Sequence, residues 1–430
     1  ISTAGSGTTA TFSAWVKANT LPDKALFTSY IDSNNFVEIY FTSGQFRVYH
    51  YDSGGTSNDV KTTPYYKDES SWYHFHVIFD TTNGTEADRI QIYVNGDRVT
   101  AFATSNYPTS SQDLELSSSS ATFNLGARNG DEQWKGYMAE VVFIDGQALT
   151  PSSFGETNTA TGIWTPKKIG QIASAGTNSF YLDFKDSSNL GKDQSGLGND
   201  FTVSGLASTD QKTDTCVDNF CTLDPFHPGL SSANTTLSEG NLKFVSTQGG
   251  SPYPYYFSTM AVSKGKWYAE FKYVTTNSAT AGIGNGIADQ YSGNNAYDYS
   301  YYYDGRLYNN GSGESTGYSA LSDNDILGCA LDLDNNKIYF HINGSYQASG
   351  DPANGTGGKS ITAAASNGTG VYHFEVGDSG AGTPTIECNF GNPAFSISSG
   401  NSDANGFGNF EYSVPSGYYA LNTSNLNTYG

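Results

Sequence analysis

FVEIYFTSGQFRVYHY, residues 36–51, consists of two runs in which aromatic and β-branched side chains alternate with polar ones, joined by a turn at residues 42–44. Successive side chains of a β-strand point to opposite faces, so a period of two is typical of strands with one buried face. The stretch therefore predicts a β-hairpin.

The same pattern recurs further along the first half of the chain. WYHFHVIFD (residues 72–80) alternates over a full strand length, and RIQIYVNGDRVTAF (residues 89–102) is typical of two strands joined at Asn95-Gly96. Asn-Gly is the preferred two-residue hairpin turn because both central residues need a positive φ. We expect a second hairpin here.

The second half repeats this order of elements. GKWYAEFKYV (residues 265–274) precedes KIYFHINGSYQ (residues 337–347), whose turn is again Asn-Gly, at Asn343-Gly344. Many short strands without helical periodicity are typical of stacked antiparallel sheets. The sequence therefore predicts an all-β protein made of two tandem antiparallel β-sandwich domains.

The predicted domains are separated by a segment that is poor in strand pattern. We place one sandwich at residues 1–206 and the other at residues 241–430 of the 430-residue chain. Residues 207–240 carry two prolines, a Cys pair and a Ser/Asn/Thr-rich run, which favours a linker or clasp.

The four cysteines give two expectations. Cys216 and Cys221 share the predicted linker and could close a small ring or remain thiols, and the sequence leaves both open. Cys329 and Cys388 lie in strand-like runs, where buried thiols are expected.

The charge balance excludes some functions. Lys and Arg number 21 against 42 Asp and Glu, a net charge of -21. Such a chain repels nucleic acid and anionic membrane surfaces, because phosphate binding needs clustered cations. No apolar run approaches the roughly 18 residues of a membrane span, so we expect no membrane insertion.

The first half resembles the laminin-G-like, concanavalin A-like domain of virion proteins from marine bacteriophages. The matching stretches are TFSAWVK, SSWYHFHVIFDTT, IQIYVNGDRV, WKGYMAEVVFIDGQALTPSSFGE and FYLDFKDSSNLGKDQSGLGNDF. In those proteins another strand usually precedes TFSAWVK, so we expect that sequence upstream is missing.

The second half is similar to a SPRY domain, itself a bent β-sandwich. The segments that carry this resemblance are GKWYAEF, DNDILGCALDLDNNKIYFHING and IECNFGNPAF.

Together, the resemblances imply two concanavalin A-like jelly-roll sandwiches in a bacteriophage tail fibre, capsid fibre or decoration protein. Such a protein would lie on the virion surface, without catalysis, and bind host-surface glycans or neighbouring virion proteins. By analogy with fibres, which are commonly homotrimeric, it would be a homo-oligomer such as a trimer. A bacterial extracellular adhesin and a polysaccharide-degrading spike enzyme are the alternatives.

Aromatic side chains are the candidate ligand-binding residues. A Tyr-rich stretch at residues 294–313, mixed with Ser, Gly and Asn, has the chemistry of adaptable binding surfaces. Alternation puts about half of its tyrosines in a core, with Tyr301 and Tyr303 on one face and Tyr302 on the other. Trp134, in NGDEQWKGY, is a separate candidate that we expect to be exposed. The candidates are Tyr301, Tyr302, Tyr303, Tyr308 and Trp134.

Polar side chains give weaker candidates for catalysis or zinc binding. His74 and His76 share one strand face and could hold zinc, but no third ligand is evident, which favours a solvent-side or partly packed polar face. Asp332 and Asp334 alternate with leucines and should point outward. Because neither a Glu-x-Asp-x-x-Glu strand nor a Gly-x-Ser-x-Gly elbow is present, we expect no enzyme.

An Asp/Gly-rich segment is the candidate for a cofactor. Asp186, Asp193 and Asp200 could supply oxygens to Ca²⁺, although their spacing does not match an EF-hand. Ordinary turn chemistry, in which Asp and Asn bond their own backbone, explains the same residues. We otherwise expect no cofactor.

Overall fold

The chain folds into two compact units, Ile1–Gln211 and Lys212–Gly430, each built almost wholly of antiparallel strands. The structure is a computed structural model that describes residues 1, 3–19, 23–53, 55–159, 162–170, 172, 175–228 and 234–430. The predicted all-β class is confirmed.

The first unit has two six-stranded sheets, ordered β14-β11-β1-β6-β7-β8 and β10-β2-β3-β4-β5-β9, and a small β12-β13 pair. Its strands are β1 (Thr9–Ala18), β2 (Lys24–Asp32), β3 (Asn35–Thr42), β4 (Gln45–Asp52), β5 (Gly55–Tyr65), β6 (Tyr73–Asp80), β7 (Ile90–Val94), β8 (Asp97–Arg98), β9 (Phe102–Asn106), β10 (Thr122–Leu125), β11 (Gly136–Asp145), β12 (Gly155–Thr157), β13 (Trp164–Pro166) and β14 (Phe180–Leu182). Single 3₁₀ turns lie at Glu86–Asp88, Pro151–Ser153 and Ser208–Asp210.

The core of the first unit lies between its two large sheets. The hairpin of residues 36–51 forms β3 and β4, with Phe41 opposite Phe46. The inward residues of this hairpin meet the other sheet, and the rings of Phe46 and Phe75 stack with centroids 4.4 Å apart. Alternation thus places every second residue of β3 and β4 in the core and leaves the other half on an outer face.

The second unit also has two sheets. Their orders are β15-β18-β28-β20-β21-β22-β23 and β16-β17-β29-β19-β24-β25-β26, with β27 paired to β25 and β30 paired to β19. The strands are β15 (Leu223–Pro228), β16 (Thr235–Ser238), β17 (Lys243–Ser246), β18 (Tyr255–Val262), β19 (Lys266–Thr275), β20 (Ala279–Gly284), β21 (Tyr299–Tyr302), β22 (Leu307–Asn309), β23 (Ser312–Glu314), β24 (Ile326–Asp332), β25 (Lys337–Ile342), β26 (Ser345–Tyr346), β27 (Lys359–Ser360), β28 (Tyr372–Asp378), β29 (Thr385–Asn389) and β30 (Tyr419–Ala420). A 3₁₀ turn lies at Ala364–Ser366 and helix α1 at Thr423–Tyr429.

The outer face of the larger sheet is covered at its centre by residues 407–420, which we call the C-terminal segment. Phe410 packs edge-on against Tyr268 at 5.1 Å between ring centroids. Beside them the carboxylate of Glu270 accepts hydrogen bonds from the backbone N–H groups of Glu411 and Tyr412, at 3.0 and 2.8 Å. Burial nevertheless raises the pKa of Glu270 to about 7. The centre of this sheet, at β19 and β24, is therefore buried on both faces.

Both predicted Asn-Gly turns are present, with positive φ at Asn95 (50°), Gly96 (84°), Asn343 (49°) and Gly344 (82°). These are the conformations that a two-residue hairpin connection requires.

The segment expected to be a linker or clasp, residues 207–240, contributes strands to the second unit. β15 pairs with β18, and β16 pairs with β17. The boundary between the units lies between Gln211 and Lys212. Residues 229–233 of this segment lie outside the described residues.

The cysteines of the same segment are thiols in the structure, so the ring that Cys216 and Cys221 could have closed is not formed. Burial raises the pKa of Cys329 and Cys388 well above the ordinary value, which keeps both protonated. In the described part of the chain, no helix is long and apolar enough to cross a membrane.

Candidate functional site

The outer face of the β2–β3–β4 sheet carries an open pocket of about 390 Å³. This volume falls within the range of small-molecule sites. We call it the aromatic pocket. Its lining combines four rings with four polar side chains: Tyr30, Phe36, Tyr49, Tyr51, Ser33, Arg128, Asn129 and Asp131.

The floor of the pocket is a continuous aromatic surface. Phe36 lies at its centre, with ring centroids 5.6 Å from Tyr51, 6.0 Å from Tyr49 and 6.3 Å from Tyr30. The four residues are brought together by strand register, because Tyr30 and Tyr51 are the two cross-strand partners of Phe36. Phe36 is almost fully covered, whereas the three tyrosines stay half-buried and so keep accessible ring area.

One wall of the pocket is a tight turn. Arg128 and Asp131 exchange two backbone hydrogen bonds of 2.8 Å, and Asn129 and Gly130 between them have φ of 46° and 91°. This mirror-image turn places the guanidinium of Arg128 over the Phe36 ring, with Cζ 5.3 Å from the centroid. The exposed side chains of Asn129 and Asp131 stand at the rim.

A buried carboxyl group lies beneath this wall. The Glu38 side chain is fully buried, and Arg128 Nη1 donates to its Oε2 at 3.2 Å, while Arg128 Nη2 donates to Glu132. Burial, reinforced by the nearby Glu132 charge and opposed by Arg128, raises the pKa of Glu38 to about 8. At neutral pH Glu38 therefore keeps its proton most of the time, and Glu132 is the main counter-charge of Arg128.

A second arginine supports the floor. Arg47 forms a two-pronged ion pair with Asp59, at 2.6 Å for Nε–Oδ1 and 2.8 Å for Nη2–Oδ2. Its guanidinium lies over Tyr49, with Cζ 4.5 Å from the ring centroid, and its Nη1 donates to the Tyr40 hydroxyl. Two-pronged pairing fixes the plane of the guanidinium and so holds the Tyr49 ring in place.

The sequence analysis did not select the residues of this pocket. The signal was present in residues 36–51, because the outward positions Phe36, Tyr49 and Tyr51 are aromatic where a solvated strand face would be polar. Tyr30 and Arg128 come from other parts of the chain and are joined to them only by the fold.

The predicted tyrosines lie in the second unit and form no open surface. Tyr301 is fully buried in the core, and Tyr303 is half-buried against it. Tyr302 is on the opposite face and also buried, donating from its hydroxyl to the Ser292 carbonyl at 2.7 Å. The half-buried Tyr308 stacks on it at 4.0 Å between centroids. The predicted division of faces is observed. Tyr301 and Tyr302 are buried, whereas Tyr303 and Tyr308 are half-buried.

Trp134 was expected to be exposed, and this expectation is wrong. Its ring packs against the core of the first unit, 5.7 Å from the Phe41 centroid. The backbone of Trp134 is held by Gly126, whose carbonyl accepts from the Trp134 N–H at 2.8 Å. The segment around Trp134 therefore closes over the end of the sandwich.

His74 and His76 are fully buried, so the expected solvent-side or partly packed face is wrong. Trp164, which is distant in sequence, stacks on His74 and donates from Nε1 to its Nδ1 at 2.9 Å, while Ser13 contacts His74 Nε2 at 2.7 Å. Phe154 packs against His76, with ring centroids 5.6 Å apart. Burial lowers the pKa of His74 to about 3 and that of His76 to about 4. Both rings are therefore neutral packing groups.

Asp332 was expected to point outward, and it does leave the core, but it is buried rather than solvated. It pairs with Lys266 at 3.0 Å and accepts from Asn335. Lys266 in turn lies over the ring of Tyr418 from the C-terminal segment, at 5.5 Å from Nζ to the centroid. Asp334 is exposed and accepts from the Gly265 N–H at 2.9 Å.

The aspartates considered for calcium are used in turns. Asp193 accepts from the backbone N–H groups of Tyr181, Ser195 and Asn199 at 2.8–2.9 Å. Asp186 accepts from Ser188, and Asp200 pairs with Lys192 at 2.9 Å. Within the described ranges, no group of three or more His, Cys, Asp or Glu side chains is arranged to hold a metal ion. The geometry of these aspartates thus matches the turn-chemistry interpretation.

The second unit contains a buried pair of carboxyl groups, Asp298 and Glu375. A Cβ added at Gly284 would lie 2.6 Å from Glu375 Oε2 and 2.8 Å from Asp298 Oδ1, so both oxygens face the same small space. Neither oxygen has a hydrogen-bond partner among the described residues. Burial, together with the Glu375 charge, raises the pKa of Asp298 to about 9, and burial also raises the pKa of Glu375. Both shifts favour the protonated form, so the pair holds at least one proton at neutral pH.

We predict that this pair makes the second unit less stable as the pH rises. The folded pKa of Asp298 lies above its ordinary value of 3.8, so the native state holds a proton that the unfolded chain releases between those two values. The pair alone can lower the free energy of unfolding by up to about 1.4 kcal/mol per pH unit in that window. Thermal melting at about pH 6, 7.5 and 9 measures how the free energy of unfolding of the second unit changes with pH.

The control for this prediction is Asp298→Asn, which cannot ionise and can donate to Glu375. Its slope of unfolding free energy against pH, between pH 6 and 9, should be shallower than that of the wild type. Equal slopes in the two proteins would show that the pair does not hold a proton.

Comparisons with known proteins support the two domain types that the sequence resembles, a concanavalin A-like domain and a SPRY domain. Residues 2–153 match the family model described as the concanavalin A-like lectin/glucanases superfamily, and residues 266–356 match the model of the SPRY domain. Domains of both types often serve as binding or adhesion modules. A search of the curated proteins returned no match to this chain.

Three solved structures illustrate the similarity. The SPRY domain of human HERC1 is 17% identical, with 39% of this chain and 96% of that chain covered and a TM-score of 0.31. The TRIM65 PSpry domain is 14% identical, with coverages of 39% and 91% and a TM-score of 0.29. Domain 4 of AbnA, a GH43 extracellular arabinanase from Geobacillus stearothermophilus in complex with arabinotriose, is 21% identical, with coverages of 34% and 64% and a TM-score of 0.27.

Proposed function

We propose that this chain is a non-catalytic, glycan-binding surface protein and that the aromatic pocket of the first unit is its binding site. The single observation that carries the proposal is the set of four adjoining rings on an outer sheet face, bordered by Asn129, Asp131 and Arg128. Aromatic faces pack against the C–H faces of sugar rings, and amide and carboxylate groups at a rim bond the hydroxyls.

The rigidity of the pocket supports this proposal. Its aromatic side chains lie on paired strands, and both arginines are fixed by carboxylates and stacked on rings. A site that is already ordered loses little conformational entropy when a ligand binds. Weak ligands such as short sugars benefit most from this property.

For the setting we propose the surface of a bacteriophage particle, in a tail fibre or a capsid fibre or decoration protein. The support is the resemblance of the sequence stretches in the first half to virion proteins of bacteriophages, together with a net charge of -21 that disfavours nucleic acid as a partner. A host-surface glycan is the proposed ligand, and neighbouring virion proteins are further proposed partners. The protein would be a homo-oligomer such as a trimer. A bacterial adhesin would use the same pocket.

The proposal is tested by native electrophoresis of the full chain in gels that contain single polysaccharides. At least one polymer should retard the protein, and prolonged incubation should release no new reducing ends from that polymer. Retardation by none of a broad panel would contradict glycan binding. New reducing ends would instead establish the polysaccharide-degrading alternative.

A further inference from the structure

The charges around the aromatic pocket restrict the kind of glycan that fits. Both arginines of this sheet face already donate to acidic side chains of the protein. Arg47 pairs with the Asp59 carboxylate, and Arg128 pairs with the Glu132 carboxylate and also donates to the mostly protonated Glu38. Their planar faces lie on Tyr49 and Phe36. They therefore act as supports of the rings, and a ligand carboxylate or sulfate would have to displace an existing partner to reach either guanidinium.

The remaining charges at the rim are negative. Asp131 lines the pocket, and Asp32 and Asp52 end the strands that carry Tyr30 and Tyr51. In the part of the chain that the structure describes, none of the three makes an ion pair. Backbone and side-chain hydrogen bonds from Asn34 and Asn35 lower the pKa of Asp32, so it stays ionised. Among the described residues that line the pocket, Arg128 is the one cation, and it is already paired with Glu132. An anionic ligand would therefore meet the carboxylate of Asp131, with those of Asp32 and Asp52 at the ends of the adjoining strands.

We propose that the aromatic pocket binds an uncharged glycan and discriminates against polymers that carry uronate, sialate or sulfate groups. This inference rests on the proposed glycan-binding function and names its ligand class. Hydroxyl groups can donate to Asp131 without a charge penalty, whereas an anionic group of a ligand would be repelled by the carboxylates at the rim.

The test compares the binding of the full chain to neutral polymers (dextran, pullulan and galactomannan) and to acidic ones (alginate, polygalacturonate and chondroitin sulfate) at low salt. We expect at least about tenfold weaker binding of every acidic polymer than of the best neutral one. Tighter binding of an acidic polymer would overturn this inference but leave the proposed function intact. Binding of no polymer of either kind would instead defeat the proposed function.

A charge-reversal variant with a matched control locates the effect. Asp131→Lys should reduce the difference in affinity between neutral and acidic polymers, because a cation then lies at the rim. Asp97→Lys makes the same charge change at an exposed position on the other large sheet and should leave this difference unchanged. Equal reduction by both variants would mean that net charge, and not the pocket, sets the preference, which would also overturn the inference.

Discussion

Tyr301→Ala is expected to lower the free energy of unfolding of the second unit by about 3–5 kcal/mol, without weakening glycan binding. The Tyr301 ring is fully buried, 5.3 Å from Phe340 and 5.6 Å from Tyr318. Its hydroxyl donates to the Ser319 carbonyl at 2.7 Å and accepts from the Ser319 N–H at 3.0 Å. Truncation leaves a cavity and removes both hydrogen bonds, as calorimetry of the full chain would show.

Tyr301→Phe is the matched variant for this prediction. It keeps the packed ring and removes only the hydroxyl, so the loss should be about 1–2 kcal/mol. A Tyr301→Ala protein that melted like the wild type but bound its polymer poorly would restore the ligand-contact hypothesis for this residue.

Tyr49→Ala is expected to weaken polymer binding at least about tenfold while the first unit stays folded. The change removes one of the four rings of the pocket and releases the Arg47 guanidinium from the ring that it covers. Because Tyr49 is on the outer face and half-buried, the core between the sheets is left intact. Affinity electrophoresis or calorimetric titration measures the loss.

The control for Tyr49 is Tyr93→Ala. Tyr93 is also half-buried on an outer strand face, but it lies on the other large sheet, where its hydroxyl donates to Gln91 at 2.8 Å. Its loss should leave affinity unchanged. Comparable weakening of polymer binding by Tyr49→Ala and Tyr93→Ala would indicate a general effect on the unit. Tyr49→Phe, which keeps the ring, should retain most of the affinity.

Much of the fold follows from the period of two and from turn chemistry. The hairpin of residues 36–51 and both Asn-Gly turns could be predicted because side-chain alternation and positive φ are local properties of the sequence. The strands inside residues 207–240 escaped prediction because they are short, rich in proline and polar residues, and stabilised by partners such as β18 and β17.

The site was harder to predict because alternation shows which residues share a face, but not what covers that face. His74 and Asp332 both leave their cores, yet Trp164 covers the first and the C-terminal segment covers the second. Phe36, Tyr49 and Tyr51 also leave the core, and there the described residues form an open pocket beside the Arg128 turn. The segments that cover these faces are distant in sequence, and a single sequence does not show which distant segments pack together.

The most direct measurement is a crystal structure of the full chain with an oligosaccharide cut from the neutral polymer that binds best. Sugar rings should lie against Tyr49 and Tyr51, with hydroxyls bonded to Asp131 or Asn129. A well-ordered sugar bound elsewhere, for example beside Tyr308, with the aromatic pocket empty, would contradict the account.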